Sequence, residues 1–158
     1  PRLEAAFWSL VGAAEAGSDH PIAKSLVTAA KEATGASSFP APEAFRYKVG
    51  RGVSAVVGGG AGGADIRVGS LEFLRESLRE LKQELPAGAG LPELDAWAAA
   101  RRAGKETVVI VHAVIDKKVR LLGALAVRDA VRPDAASTIR HLRGKLGIEV
   151  WMCTGDSA

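Results

Sequence analysis

The sequence predicts a mixed α/β fold: an antiparallel β-sheet flanked by helices, followed by a shorter C-terminal piece of strand-and-helix texture. Three observations carry this. Apolar residues recur every three to four positions in stretches bounded by glycine and proline, as amphipathic helices require. Between these lie alternating or wholly β-branched runs joined by turn residues, as paired strands require. After Val127 the order becomes loop, helix and short apolar strand, which is part of a βαβ unit.

The elements follow in order. Residues 2–16 predict a helix, with Leu3, Phe7, Leu10, Val11 and Ala14 on one face and Gly17 ending it. Pro21 suits the first position of a second helix, where its missing N–H would have had no partner anyway. Ala23, Leu26, Val27 and Ala30 make that helix's buried stripe, Gly35 stops it, and Ser37 to Pro42 is a loop. Phe45, Tyr47 and Val49 alternate, as do Val53, Ala55 and Val57, with Gly50-Arg51-Gly52 between them. A glycine-rich turn from Gly58 to Gly63 leads to a short strand, Asp65 to Val68. Leu71, Leu74, Leu78, Leu81 and Leu85 predict one long amphipathic helix, and Pro92 opens another that ends at Gly104. Thr107 to Ile115 is nearly all apolar and β-branched, as a central strand is. Asp116-Lys117-Lys118 turns it, and Val119 to Val127 returns as its partner. Ala136, Ile139 and Leu142 mark a last helix, and Ile148 to Cys153 a short buried-type strand.

Composition bounds the function. The 158 residues are 47% hydrophobic and 25% charged, an ordinary globular balance, but only 5% aromatic, so aliphatic side chains must build the core. A net charge of +3, scattered along the chain, argues against nucleic acid as a partner while suiting a small anionic ligand. One cysteine, Cys153, allows no intrachain disulfide, and a reducing compartment is the natural reading. No run reaches the roughly 18 consecutive apolar residues of a membrane span. The chain begins at Pro1 and stops just after a Thr-Gly-Asp tripeptide, as a segment of a longer protein would.

Four short segments carry candidate chemistry. His20 stands at a helix N-cap, where an imidazole can cap the helix or stack on and hydrogen-bond a purine; Glu15, five residues earlier, is a surface acid or an acceptor for an exocyclic amine. Gly50 and Gly52 permit a strand kink or a close backbone approach to a ligand. Val68-Gly69-Ser70 precedes a helix, so Ser70 is an N-cap or part of a phosphate or ribose contact. Thr154-Gly155-Asp156 follows a strand, where a hydroxyl and a carboxylate suit phosphoryl and Mg²⁺ chemistry. No Cys/His cluster has metal-ligand spacing, and no Walker motif or nucleophile elbow is present.

Together these segments resemble the heavy-metal (P1B-type) P-type ATPases. Glu15 and Ser18-Asp19-His20-Pro21-Ile22-Ala23 are similar to that family's Glu…Ser-Glu-His-Pro-(Leu/Ile)-Ala segment. Gly50-Arg51-Gly52-Val53 resembles its Gly-x-Gly-(Ile/Val), and Val68-Gly69-Ser70 its (Ile/Val)-Gly-Asn. Gly104 to Val111, Asp129-Ala130-Val131-Arg132-Pro133 and Met152 to Asp156 resemble the run leading back into the phosphorylation domain. The resemblance spans essentially the whole chain, in order. It implies a nucleotide-binding domain over residues 1–127 and a fragment of a Rossmann-like phosphorylation domain over 128–158. It further implies an ATP site at Glu15, His20, Gly50, Gly52, Val53, Gly69 and Ser70, supported by Asp19 and Pro21. Asp129, Thr154, Gly155 and Asp156 would be phosphorylation-domain residues. Two departures stand out: Asp19 replaces the family's glutamate and Ser70 its asparagine.

The parent of such a fragment would be an integral membrane metal pump, with these residues on its cytoplasmic side. Copper(I) would be its cargo, or zinc and cadmium, and Mg²⁺ would accompany ATP. The partners implied are ATP and the remaining phosphorylation, actuator and membrane domains. The phosphorylated Asp-Lys-Thr-Gly-Thr segment does not occur in the sequence, so the fragment should bind ATP without significant hydrolysis and contain no catalytic residue. A free-standing phosphatase-like enzyme using Asp129 and Asp156, and a non-catalytic interaction domain, are the alternatives.

Overall fold

Five strands form one antiparallel sheet in simple sequence order, β1 (Glu43–Lys48), β2 (Gly52–Val57), β3 (Ala64–Gly69), β4 (Thr107–Ile115) and β5 (Lys118–Val127). This is a computed structural model, and it describes residues 2–58, 63–85, 90–128 and 132–153. The chain divides into two compact units, Pro1–Arg128 and Asp129–Ala158. The first holds the sheet and four helices: α1 (Arg2–Glu15), α2 (Pro21–Thr34), α3 (Leu71–Glu80) and α4 (Leu91–Ala103). The mixed fold of antiparallel sheet and flanking helices is the one expected from the sequence.

Two hydrophobic clusters lie on opposite faces of the sheet, and β4 builds both. Its period-2 alternation sends Val109, Val111 and Ala113 to one face, where they meet Val11 and Ala14 of α1 and Leu26 of α2. Val108 and Ile110 point to the other face, against Leu71, Leu74 and Leu78 of α3 and Ala98 of α4. Residues 108–113 are buried throughout, which is why this strand reads as a continuous apolar run.

Turn chemistry fixes the strand order. Arg51 N–H donates to Lys48 O (3.0 Å), and Gly50 sits at φ 68° in that turn, a left-handed value that glycine reaches without strain. Asp116 and Lys117 also have positive φ, 50° and 58°, as the two central residues of a tight β4–β5 hairpin require. The predicted helix to Leu85 stops five residues early. Lys82 turns left-handed (φ 52°), and Gln83 N–H closes back on Leu78 O (2.9 Å) in a Schellman-type stop. Gln83 then ties the helix end to the β4–β5 hairpin: its amide accepts from Val119 N–H (2.8 Å) and donates to Lys117 O.

A polar pair, His112 and Ser77, is buried within the α3 face. His112, at 0% exposure, shares a 2.9 Å hydrogen bond between its Nε2 and Ser77 Oγ, while its Nδ1 has no partner. Arg67 donates to the same hydroxyl (2.7 Å) and pairs with Asp65 (3.0 Å). Burial, and secondarily the positive charge of Arg67, push the His112 imidazole down to about 4.

In the second unit a helix, α5 (Ala135–Gly144), occurs where Ala136, Ile139 and Leu142 place it. The strand expected from Ile148 to Cys153 does not form: residues 148–153 carry no regular structure, and Trp151 and Met152 are 82% and 88% exposed. A strand needs a neighbour to pair its backbone, and among the described residues of this unit there is none.

Candidate functional site

A cavity of about 240 Å³ opens at the end of the sheet where β2 begins and β3 ends, on the side of α1 and α2. Its floor is apolar, formed by Val53, Val68 and Val109 of the sheet with Ile22 and Ala23 of α2. All seven residues of the expected site line it: Glu15, His20, Gly50, Gly52, Val53, Gly69 and Ser70. They come from three separate stretches of the chain, 15–20, 50–53 and 69–70, and the helix pair and the β1–β2–β3 meander bring them together. Asp19 and Pro21 do not line it. Asp19 is fully exposed beside Lys24 (3.7 Å), a surface pair of little energetic weight, and Pro21 opens α2.

Glu15 is the unusual member. It is the last residue of α1 and only 6% exposed, although its side chain is a carboxylate. Burial raises its carboxyl to about 7, and among the described residues no hydrogen bond or neighbouring cation offsets that burial. Near neutral pH it therefore carries both a donor form and an acceptor form, facing the cavity.

His20 caps α2 and also lines the cavity. Its backbone is extended (φ −64°, ψ 139°) and its Nδ1 accepts from Ile22 N–H (3.2 Å), capping α2. The cap uses one ring nitrogen, Nδ1, and leaves Nε2 without a part in it. Ser70 likewise caps α3 by accepting from Phe73 N–H (3.3 Å), and its own N–H donates to Arg51 O (2.7 Å). Its backbone N–H is thus unavailable for a phosphate, and the hydroxyl hydrogen is what Ser70 retains for a ligand.

The glycines have distinct reasons. Gly52 and Gly69 face each other across β2 and β3. A Cβ on Gly52 would lie 2.1 Å from Val68 O, and one on Gly69 would lie 2.0 Å from Arg51 O. Their lack of side chains lets two backbones touch. Gly50 has open space around it and is fixed by its φ alone.

Sequence reasoning assigned no part in the cavity to Tyr47, Arg51, Thr107 or Val109, all of which line it. The only available signal was the Phe45–Tyr47–Val49 alternation, which places Tyr47 on one sheet face without saying what covers it. Asp129, Thr154, Gly155 and Asp156 lie outside the described residues. Among the described residues no three His, Cys, Asp or Glu side chains group to hold a metal ion, and no helix is long and apolar enough to cross a membrane. With one carboxylate and an apolar floor, the cavity suits a flat ligand with one hydrogen-bonding edge. It offers no donor set for Mg²⁺.

The first unit is thus an antiparallel sheet with a cavity at one end. The chain belongs to the haloacid dehalogenase-like hydrolases, whose family pattern matches residues 1–158. Its relatives within that family are heavy-metal P-type ATPases. It is 34% identical over 149 residues to a "Probable copper-exporting P-type ATPase V" of Mycobacterium tuberculosis, covering 94% of this chain and 17% of that protein. It is 29% identical over 158 residues to a "Zinc/cadmium/lead-transporting P-type ATPase" of Shigella sonnei, covering 98% of this chain and 18% of that protein. Among solved structures it is similar to a zinc-transporting PIB-type ATPase in the E2.Pi state, with a TM-score of 0.56 and 28% identity. That match covers 92% of this chain and 20% of the other. The chain thus spans about a sixth to a fifth of the length of these three proteins.

Proposed function

We propose that residues 1–127 are the nucleotide-binding domain of a heavy-metal P-type ATPase and residues 128–158 a fragment of its phosphorylation domain, both on the cytoplasmic side of the membrane. The cavity takes the adenine of ATP. The observation that carries this is the convergence of seven residues from distant segments on one apolar cavity that contains a buried carboxyl without a protein partner. Its volume is below the roughly 300–1,000 Å³ of pockets that enclose a drug-sized ligand, which suits a base inside and a polyphosphate outside.

In this reading Glu15 meets the Watson–Crick edge of adenine. The carboxylate accepts from the exocyclic amine, and the acid form adds a donor for the adjacent ring nitrogen. His20 lies against the base from the rim, and the Ser70 hydroxyl faces the ribose side. Mg²⁺ accompanies the phosphates and contributes nothing to holding the base. The γ-phosphate goes to an aspartate outside these 158 residues, so the fragment binds ATP without significant hydrolysis. In the parent enzyme this domain works with the remaining phosphorylation, actuator and membrane domains. The relative named for copper shares more identity than the one named for zinc, cadmium and lead, and copper(I) is the cargo we propose.

His20→Asn tests the site without disturbing the helix. Asparagine is a good N-cap and keeps the bond to Ile22 N–H, but it removes the ring. The expected result by calorimetric titration is an unchanged melting temperature with ATP affinity weaker by about 1–2 kcal/mol, with or without Mg²⁺. Equal affinity in the variant would remove His20 from the site.

A further inference from the structure

We infer that Tyr47 forms an aromatic wall of the base cavity and strengthens its hold on a purine; this rests on the adenine-binding reading above. The placement follows from strand register. Tyr47 pairs with Val53, Val53 with Val68, and Val68 with Val111, so one row of side chains crosses four strands on the face that α1 and α2 cover. The three valines are buried. The outermost member stands on the edge strand β1 and remains 60% exposed.

That exposure falls at the cavity. Val53 and Val68 are its floor, and Tyr47 and His20 both line it. The same two rings also border the shallower recess beside it, together with Phe45. The next residue in β1, Lys48, turns to the opposite face and pairs with Glu76 of α3 (2.7 Å), so it does not compete for this space. A base resting on the two valines is therefore bordered by both an imidazole and a phenol ring. Tyrosine has two side-chain torsions to fix and a broad apolar face, so ordering it on a ligand costs little for the area it covers. Aromatic contacts of this kind are sensitive to the area of overlap, which favours a purine over a pyrimidine.

The test uses the whole 158-residue chain, with adenosine and ATP as ligands and their H2 and H8 resonances as the readout. Wild type is expected to bind both and shift these resonances upfield by ring current. Tyr47→Ala should weaken both ligands about five- to tenfold and lose much of that shift, while Tyr47→Phe stays within about twofold of wild type. The position is exposed, so the melting temperature of both variants should match wild type. A wild type that binds adenosine, with Tyr47→Ala binding it equally well, overturns this inference and leaves the adenine cavity standing. A wild type that binds neither ligand overturns the adenine reading and this inference with it.

Discussion

Glu15→Leu should make the ligand-free chain more stable at pH 8 and at the same time weaken its binding of ATP. The stability arm follows from the buried carboxyl. In the unfolded chain it titrates at its usual 4.5, and in the folded chain at about 7. Below pH 4.5 it is protonated in both states. As the pH rises towards 7 the unfolded state releases its proton first, so the folded state loses stability, and above 7 the full penalty of about 3 kcal/mol is present. Leucine removes that penalty. Thermal unfolding should show the two proteins alike in this respect near pH 4, with the variant gaining on wild type through pH 7. His112 works in the opposite sense. Its imidazole is pushed down to about 4, so it loses stability as the pH falls from 6.5 towards 4, and it partly masks the glutamate's effect in wild type. The variant should therefore be the more acid-sensitive protein. The binding arm follows from the lost acceptor, worth about 1–2 kcal/mol of ATP affinity. Glu15→Gln keeps an acceptor and a donor and should bind within a few-fold of wild type. Opposite signs in stability and affinity are the mark of a group kept for a ligand. A leucine variant that is less stable at pH 8 would show that the carboxylate has a structural partner instead.

Gly52→Ala and Gly69→Ala should each destabilise the sheet by about 3 kcal/mol or more, as seen in denaturant unfolding. A Cβ on Gly52 would sit about 2 Å from the oxygen of Val68 in β3, and one on Gly69 about 2 Å from the oxygen of Arg51, the residue that leads into β2, and neither strand can retreat. β2 and β3 are held along their whole length, from Gly52–Gly69 to Val57–Ala64. Overpacking against backbone falls in the severe class because no side chain can rotate away. Gly50→Ala is the contrast. Nothing lies within 4 Å of its Cβ position, and only the left-handed φ opposes it, at about 1 kcal/mol. Equal effects at the three glycines would refute this division. It also bears on function: two of the three cavity glycines are explained by strand contact before any ligand is considered.

Much of the fold was legible because local and global signals agree. The β-branched run at 107–115 is an interior strand, buried on both faces, and the proline at 21 and glycine at 35 bound a real helix. What failed did so for tertiary reasons. Leucine spacing alone carries α3 on to Leu85, but a left-handed Lys82 and the Gln83 bonds to the β4–β5 hairpin end it at Glu80. Ile148 to Cys153 has strand composition, but among the described residues of its unit there is no strand to pair with. At the site, motif residues were legible one by one, but their environment was not. Whether Glu15 is a surface acid or a buried one depends on how the ends of α1, α2 and β2 meet, which no spacing records. His112 could not be separated from its apolar neighbours, because its partner Ser77 lies 35 positions away. Tyr47 showed only an alternation.

The central claim is that these residues hold ATP by its adenine. Its most direct test is an amide chemical-shift titration of the 158-residue chain with ATP and with adenosine, both in the absence of Mg²⁺. The expected result is a common set of perturbations from both ligands, centred on Glu15, His20, Gly50 to Val53 and Gly69. No perturbation of these amides at millimolar ATP would contradict it.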